Sequence, residues 1–200
     1  MLVAHGYELV ERAQEDDHDY PDPRAVDLVV PFGSVWSVHD PDLGRHVAAE
    51  QRFLRAADHA GVPVFGVCFG AQQLAAALGG SVQPLARPEI GWCTVRTVVP
   101  EVVASGPWMQ FHFDHLTPPP GARVLAASDA CVQAFTVGPH TAVQFHPEVT
   151  PAVIDFWLGH GGTEVARAHG VDVDRLRADT VAHTATRRAD VERLLAAYLA

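Results

Sequence analysis

The stretch Val62-Pro-Val-Phe-Gly-Val-Cys-Phe-Gly-Ala-Gln72 constrains the fold of this chain more than any other. It is an apolar, β-branched run that ends in Gly66-x-Cys68-x-Gly70 and passes directly into the helix-forming Gln72-Gln-Leu-Ala-Ala-Ala-Leu78. A buried strand, a tight turn and a helix are the setting in which a G-x-nucleophile-x-G elbow works. The flanking glycines remove side chains that would block so sharp a bend, and the central residue is left at its tip. The helix that follows directs its unsatisfied N–H groups back at that residue, which favours an anion there. In this chain the residue is a thiol.

At 200 residues the chain has the length of one domain with a substantial core. Hydrophobic residues make up 48% and charged residues 19%, a globular balance. A formal charge of −10 with no clustered Lys/Arg stripe argues against a nucleic-acid surface. The three cysteines, Cys68, Cys93 and Cys131, form no C-x-x-C pair, which suits a reducing compartment and leaves Cys68 free to react. The N-terminal residues show no basic segment followed by an apolar one, and no apolar run approaches the roughly 20 residues that span a bilayer. The expected location is the cytoplasm, with no membrane or nucleic-acid partner. Cys93 and Cys131 lie on strand-like segments and read as core.

The elements expected along the chain alternate in type. Residues 7–10 are a short strand candidate, followed by the acidic, proline-punctuated stretch Glu15-Asp-Asp-His-Asp-Tyr-Pro-Asp-Pro23, which reads as a solvated loop. Residues 25–31 form a continuous apolar strand ending at Phe32-Gly33-Ser34. Residues 44–60 carry helical spacing, with Val47, Phe53, Leu54 and Ala57 on one face. After the elbow strand (62–67) and its helix (71–78), strands are expected at 92–99 and 123–127. A hairpin follows, 132–137 and 141–145, around Gly138-Pro139. Residues 151–158 and 172–199 read as helices. The pattern predicts an α/β fold with a largely parallel sheet flanked by helices and an antiparallel extension.

A cysteine nucleophile needs a base and a group to hold that base. Val143-Gln-Phe-His146-Pro-Glu148 offers both: His146 just past a strand, and Glu148 two residues on to accept its second ring N–H. The oxyanion formed during attack needs two N–H donors. The backbone of Phe69 is one candidate, and the Gly33-Ser34 turn supplies the other. Twelve histidines invite a metal reading, but no H-E-x-x-H or His/Cys ligand spacing occurs, so neither metal nor cofactor is expected.

Gly66-Val-Cys-Phe-Gly-Ala-Gln72 together with Gln144-Phe-His-Pro-Glu148 resembles the class I, triad-type glutamine amidotransferase family, and within it the stand-alone glutaminases of the GMP synthase type. Glu89-Ile-Gly-Trp92 and His112-Phe-Asp114, followed by Leu116-Thr-Pro-Pro-Pro-Gly121, are similar to further segments of that family. The likeness spans residues 4–158. It implies a flavodoxin-like fold in which ammonia is released from the side-chain amide of glutamine through a γ-glutamyl thioester on Cys68. It also implies that Gln72, His112 and Asp114 lie toward the substrate, and that a synthetase partner receives the ammonia. The domain would occupy residues 1–158, with 159–200 as a helical extension packed on it.

Two departures stand out. The oxyanion loop reads Gly33-Ser34-Val35 where the family has Gly-Gly-Pro, a change that a backbone donor tolerates. The family's first strand and helix have no counterpart before Ala4. The first strand of a flavodoxin-like order is internal to its sheet, so the expectation is either further residues upstream of Met1 or a locally rearranged sheet. Two other functions share these residues. A stand-alone γ-glutamyl peptidase would use the same Cys, His and Glu on γ-glutamyl conjugates. A non-catalytic binding or regulatory module would keep the fold and lose a triad member, and none is missing here.

Overall fold

The structure, a computed structural model, describes residues 2–13 and 20–199. The acidic stretch 15–19 lies outside the described residues. Helix α1 (Gly44–Ala60), strand β1 (Phe65–Val67) and helix α2 (Phe69–Ala77) form the first unit. The Asp40 carboxylate accepts from the Asp42 N–H in the turn leading into α1. At the other end Gly61 adopts the left-handed conformation, φ 71°, so that the chain returns its N–H groups to the last helical carbonyls. Val47, Leu54 and Ala57 are buried, as the spacing predicts.

The rest of the sheet follows as β2 (Ser81–Thr97), β3 (Gly106–Thr117), β4 (Arg123–Ala127), β5 (Val132–Val137) and β6 (His140–Val143). Helices α3 (Pro151–Trp157), α4 (Thr163–Ala168) and α5 (Val173–Leu199) close the chain, with a single π turn (Leu158–Gly162) between the first two. The strand order is β1-β6-β5-β4-β2-β3. β1 pairs with β6 in parallel, and Val29 bridges Val64 in parallel on the other side of β1. The remaining pairs are antiparallel, dominated by the long β2–β3 ribbon.

The α/β class, the flanking helices and the antiparallel extension are as expected. The parallel part is narrower than the sequence suggests, because the strand expected at 25–31 is reduced to one bridge at Val29. The strand expected at 7–10 does not form; residues 2–5 make a single 3-10 turn and 6–13 join no ladder. Alternating apolar residues there have no neighbouring strand to pair with. Strand β3 is an element that the sequence reading did not assign.

Strand alternation separates two faces of the core, and Met109, Ile154, Leu158, Ala166 and Leu176 form a further cluster under α3, α4 and α5. Phe65, Val67, Val95, Trp108 and Val143 face α5, meeting Val191 and Leu194. Val64, Ala142, Phe135 and Leu116 face α1 and α2 through Leu54, Ala57, Ala71 and Leu74. Burying a side chain such as Leu194 contributes roughly 1.5–3 kcal/mol, whereas exposed ion pairs such as Arg188–Glu192 contribute about 0–1 kcal/mol. Apolar contact therefore holds α5 on the sheet. Arg187 adds to it by lying over the Trp108 ring, 5.5 Å from its centroid, and donating to the Ser105 carbonyl.

Candidate active site

The parallel register Val67↔Val143 brings the carboxyl ends of β1 and β6 side by side. Residues just beyond each strand must then meet, which places Cys68 next to Gln144 and close to His146. The Cys68 N–H donates to the Val143 carbonyl at 2.8 Å, and the Gln144 amide reaches the sulfur at 3.7 Å.

Cys68 has φ 51° and ψ −110°, and among the described residues no other non-glycine residue has a positive φ. Such a conformation costs about 1–3 kcal/mol and persists where the surroundings dictate it. The surroundings are the two glycines. A Cβ on Gly66 would stand 2.9 Å from the Ala71 Cα, and one on Gly70 would collide with the Pro31 carbonyl. The elbow can close only where both side chains are absent. Phe69 opens α2, so its N–H has no intrahelical acceptor.

His146 is 4% exposed and its Nδ1 lies 2.7 Å from Glu148 Oε1. The Cys68 sulfur interacts with the same ring. Trp157 packs edge-on against the imidazole, 4.8 Å between centroids. Burial by itself disfavours the imidazolium, but the negative charges of Cys68 and Glu148 outweigh it and push His146 up to about 10. The arrangement is suited to holding an imidazolium between the sulfur and a carboxylate.

A pH test follows from the sign of that shift. The folded value lies above the ordinary 6.5, so the ion pair stabilises the fold fully below about pH 6.5 and stops doing so as pH rises through about 10. The stability advantage of the wild type over Cys68→Ala, measured in urea, should shrink between pH 7 and 10.5. A constant difference across that range would refute the pairing.

Gly33 stands against both reactive groups: a Cβ there would meet His146 Cε1 at 2.9 Å and Cys68 Cβ at 3.4 Å. The Gly33-Ser34 turn is thus brought to the elbow, on the segment whose Pro31 and Phe32 carbonyls accept from the Val67 and Gly70 N–H groups. Ser34 Oγ accepts from the Trp36 N–H at 3.3 Å.

The remaining expected residues fall farther back. Gln72, 4% exposed, donates to the Asp114 carbonyl at 3.1 Å and to Gln144 Oε1 at 3.2 Å. Asp114 Oδ2 accepts from the Ser37 hydroxyl at 2.6 Å, bracing the loop beyond Gly33. The His112 ring meets the Asp114 carbonyl and Glu89. Cys93 and Cys131 are half-buried rather than core. Sequence reasoning assigned no role to Gln144, Trp157 or Ser37. Gln144 had a signal, a polar residue inside an apolar strand end; the other two had none that local pattern exposes.

An apolar groove of about 510 Å³ is lined by His146 and Glu148 together with Leu28, Val30, Trp108 and Tyr198 among others. Among the described residues no helix is long and apolar enough to cross a membrane.

A family model described as "Glutamine amidotransferase class-I" matches residues 10–155, nearly three quarters of the chain. One relative is the glutamine-hydrolyzing GMP synthase of Stenotrophomonas maltophilia, 35% identical over 105 residues. Another is a single subunit of the glutamine-hydrolyzing GMP synthase of Sulfolobus acidocaldarius, 38% identical over 97 residues. The first match covers 45% of this chain and 20% of the synthase; the second covers 44% and 52%. The chain thus matches a fifth of one relative's length and about half of the other's. Among solved structures, a glutamine amidotransferase from Thermotoga maritima superposes with a TM-score of 0.79 at 23% identity, covering 98% of this chain and 84% of that one. One from Methylobacillus flagellatus gives 0.76 at 23%, covering 98% and 81%. These two likenesses speak to the fold.

Proposed function

Because the chain belongs to the class-I glutamine amidotransferase family, we propose that it hydrolyses the γ-amide of glutamine through a γ-glutamyl thioester on Cys68. The observation that carries this reading is the His146 ring, held between the Cys68 sulfur and Glu148 at the tip of a strained elbow. The thiolate attacks the amide carbon, and charge develops on the carbonyl oxygen opposite the Phe69 N–H and the Gly33-Ser34 turn. As the C–N bond breaks, His146 gives its proton to the departing nitrogen, which leaves as ammonia. Water then attacks the thioester with His146 as base, glutamate departs, and the sulfur returns to its starting state. Glu148 orients the ring and offsets its charge throughout.

In this reading Gln72 positions Gln144 and through it the sulfur, Asp114 positions the loop beyond Gly33, and His112 acts at a distance from the substrate. Residues 1–158 are the catalytic unit and 159–200 an extension that seals the sheet. The protein works in the cytoplasm, without metal or cofactor in the chemistry, and ammonia passes to a synthetase partner of the kind that GMP synthases contain.

The test is covalent labelling of Cys68 by a glutamine-like diazo-ketone, combined with turnover of glutamine and of a panel of γ-glutamyl amides. Labelling with glutamine turnover is the expected result. Labelling with cleavage of γ-glutamyl peptides alone would replace the ammonia-releasing reading by a γ-glutamyl peptidase. A folded protein that fails to label would be a binding module. Glu148→Gln keeps the size of the side chain and removes the charge facing the imidazolium; kcat is expected to fall by about 10²–10⁴-fold, in line with the loss of an orienting carboxylate elsewhere. Unchanged kcat would remove Glu148 from the mechanism.

A further inference from the structure

Strands β2 and β3 place Glu89 opposite His112, and the turn before β5 brings Cys131 against the same carboxylate. One donor atom from each of the three lies within 4.8 Å of the others. The His112 side chain is 2% exposed, and its Nδ1 meets the Asp114 carbonyl at 2.8 Å. A carbonyl can only accept, so Nδ1 carries a proton and Nε2 is the ring position turned to the cluster. That nitrogen is buried without a hydrogen-bond partner. Glu89 Oε2 comes within 3.2 Å of it but lies off the axis along which the ring could donate. Facing a carboxylate at this distance, that nitrogen needs either a proton or a metal ion between the two.

We propose that Glu89, His112 and Cys131 form a binding site for a borderline-soft divalent cation such as zinc. Imidazole nitrogen, thiolate and carboxylate are the donors this ion takes, and the three donor atoms lie within 4.8 Å of one another. Bonds of about 2.0 Å to nitrogen and oxygen and about 2.3 Å to sulfur give tetrahedral ligand-to-ligand edges of roughly 3.3–3.6 Å. The His112–Glu89 and Cys131–Glu89 separations are 3.2 and 3.5 Å. Gln133, fully buried, donates to Glu89 Oε2 at 2.7 Å and to Cys131 Sγ at 3.3 Å, holding both in position. As the S–Zn bond forms, the thiol proton leaves to solvent, and the thiolate and carboxylate neutralise the ion's charge. Water takes the fourth position. Such an ion clamps β2, β3 and the turn before β5 behind Asp114, which braces the loop beyond Gly33.

The site is tested on chelator-treated full-length protein by titration with Co²⁺ and displacement by Zn²⁺. Cys68 also neighbours a histidine and a carboxylate, so the deciding sample is Cys68→Ala with Cys93→Ser, in which Cys131 is the only thiol left. This variant should take up a single equivalent of cobalt with a thiolate-to-metal charge-transfer band, lost on adding zinc. Cys131→Ser should abolish the band and weaken zinc binding by more than the roughly 10–100-fold that an outer-shell partner costs. No band in the single-thiol variant would overturn the site and leave His112 and Glu89 as a buried structural pair. A band that survives Cys131→Ser and disappears with Cys68→Ala would overturn it as well, placing the ion at the elbow.

Discussion

Cys68→Ala is expected to lower glutamine turnover by roughly 10⁴–10⁶-fold, the range seen when a covalent nucleophile is removed from a triad. No neighbouring group can substitute: Gln144 is the amide nearest the sulfur, and an amide neither attacks a carbonyl carbon nor carries a thioester. The substitution also tests the strain at the elbow. At φ 51° and ψ −110° alanine suffers the same backbone penalty as cysteine, while glycine does not. Cys68→Gly should therefore be more stable than Cys68→Ala by about 1 kcal/mol, the reverse of the usual order inside regular structure. Both variants are to be compared by chemical denaturation alongside the amidase assay. Turnover retained in either one would rule out the thioester, and Cys68→Ala proving the more stable would rule out the strain.

Gly70→Ala is expected to destabilise the fold by about 3 kcal/mol or more, and to abolish activity in whatever fraction still folds. The added methyl would strike the Pro31 carbonyl oxygen and carbon. Neither side has room to give. The Pro31 carbonyl is fixed by the Val67 N–H at 3.0 Å, and Gly70 itself donates to the Phe32 carbonyl at 3.1 Å. Relieving the clash means breaking the contact that seats the Gly33 turn against the sulfur. Gly79→Ala is a useful control, since its Cβ would meet nothing closer than 3.7 Å and its cost arises from φ alone. A Gly70→Ala protein within about 0.5 kcal/mol of the wild type would show that the elbow is looser than its packing implies.

The elbow and the Phe-His-Pro-Glu segment were legible in the sequence because each is contiguous and chemically demanding. Only glycine fits at 66 and 70, and a histidine two residues from a glutamate at a strand end has few other uses. Helix α1 was legible for a different reason, its 3.6-residue spacing. Strand β3 was not, because its alternation is inverted. Gln110, His112 and Asp114 are buried on one face, while on the other Phe113 is exposed and Phe111 is only partly covered, against Trp157, so a search for buried apolar alternation passes over it. The Glu89, His112 and Cys131 cluster was hidden for the same reason, and because its members come from three segments that meet only in the folded sheet. Residues 7–10 failed in the opposite sense: the alternation is present, but a strand needs a neighbour to hydrogen-bond to.

The segment leading to Gly33 is tied to β1 along one side, through Val29 and Pro31, and to the first turn of α2 through Phe32. β1 itself has support on both sides, from that segment and from β6. Local opening at the edge breaks sheet bonds to one neighbour, whereas loosening the strand beneath Cys68 must break sheet bonds to two. The two halves of the cleft thus sit on different rungs of local stability. The sulfur and the imidazole keep their spacing on the firm rung. The turn that receives the developing charge rests on the softer one, where it can yield to an arriving substrate without disturbing the groups that react with it.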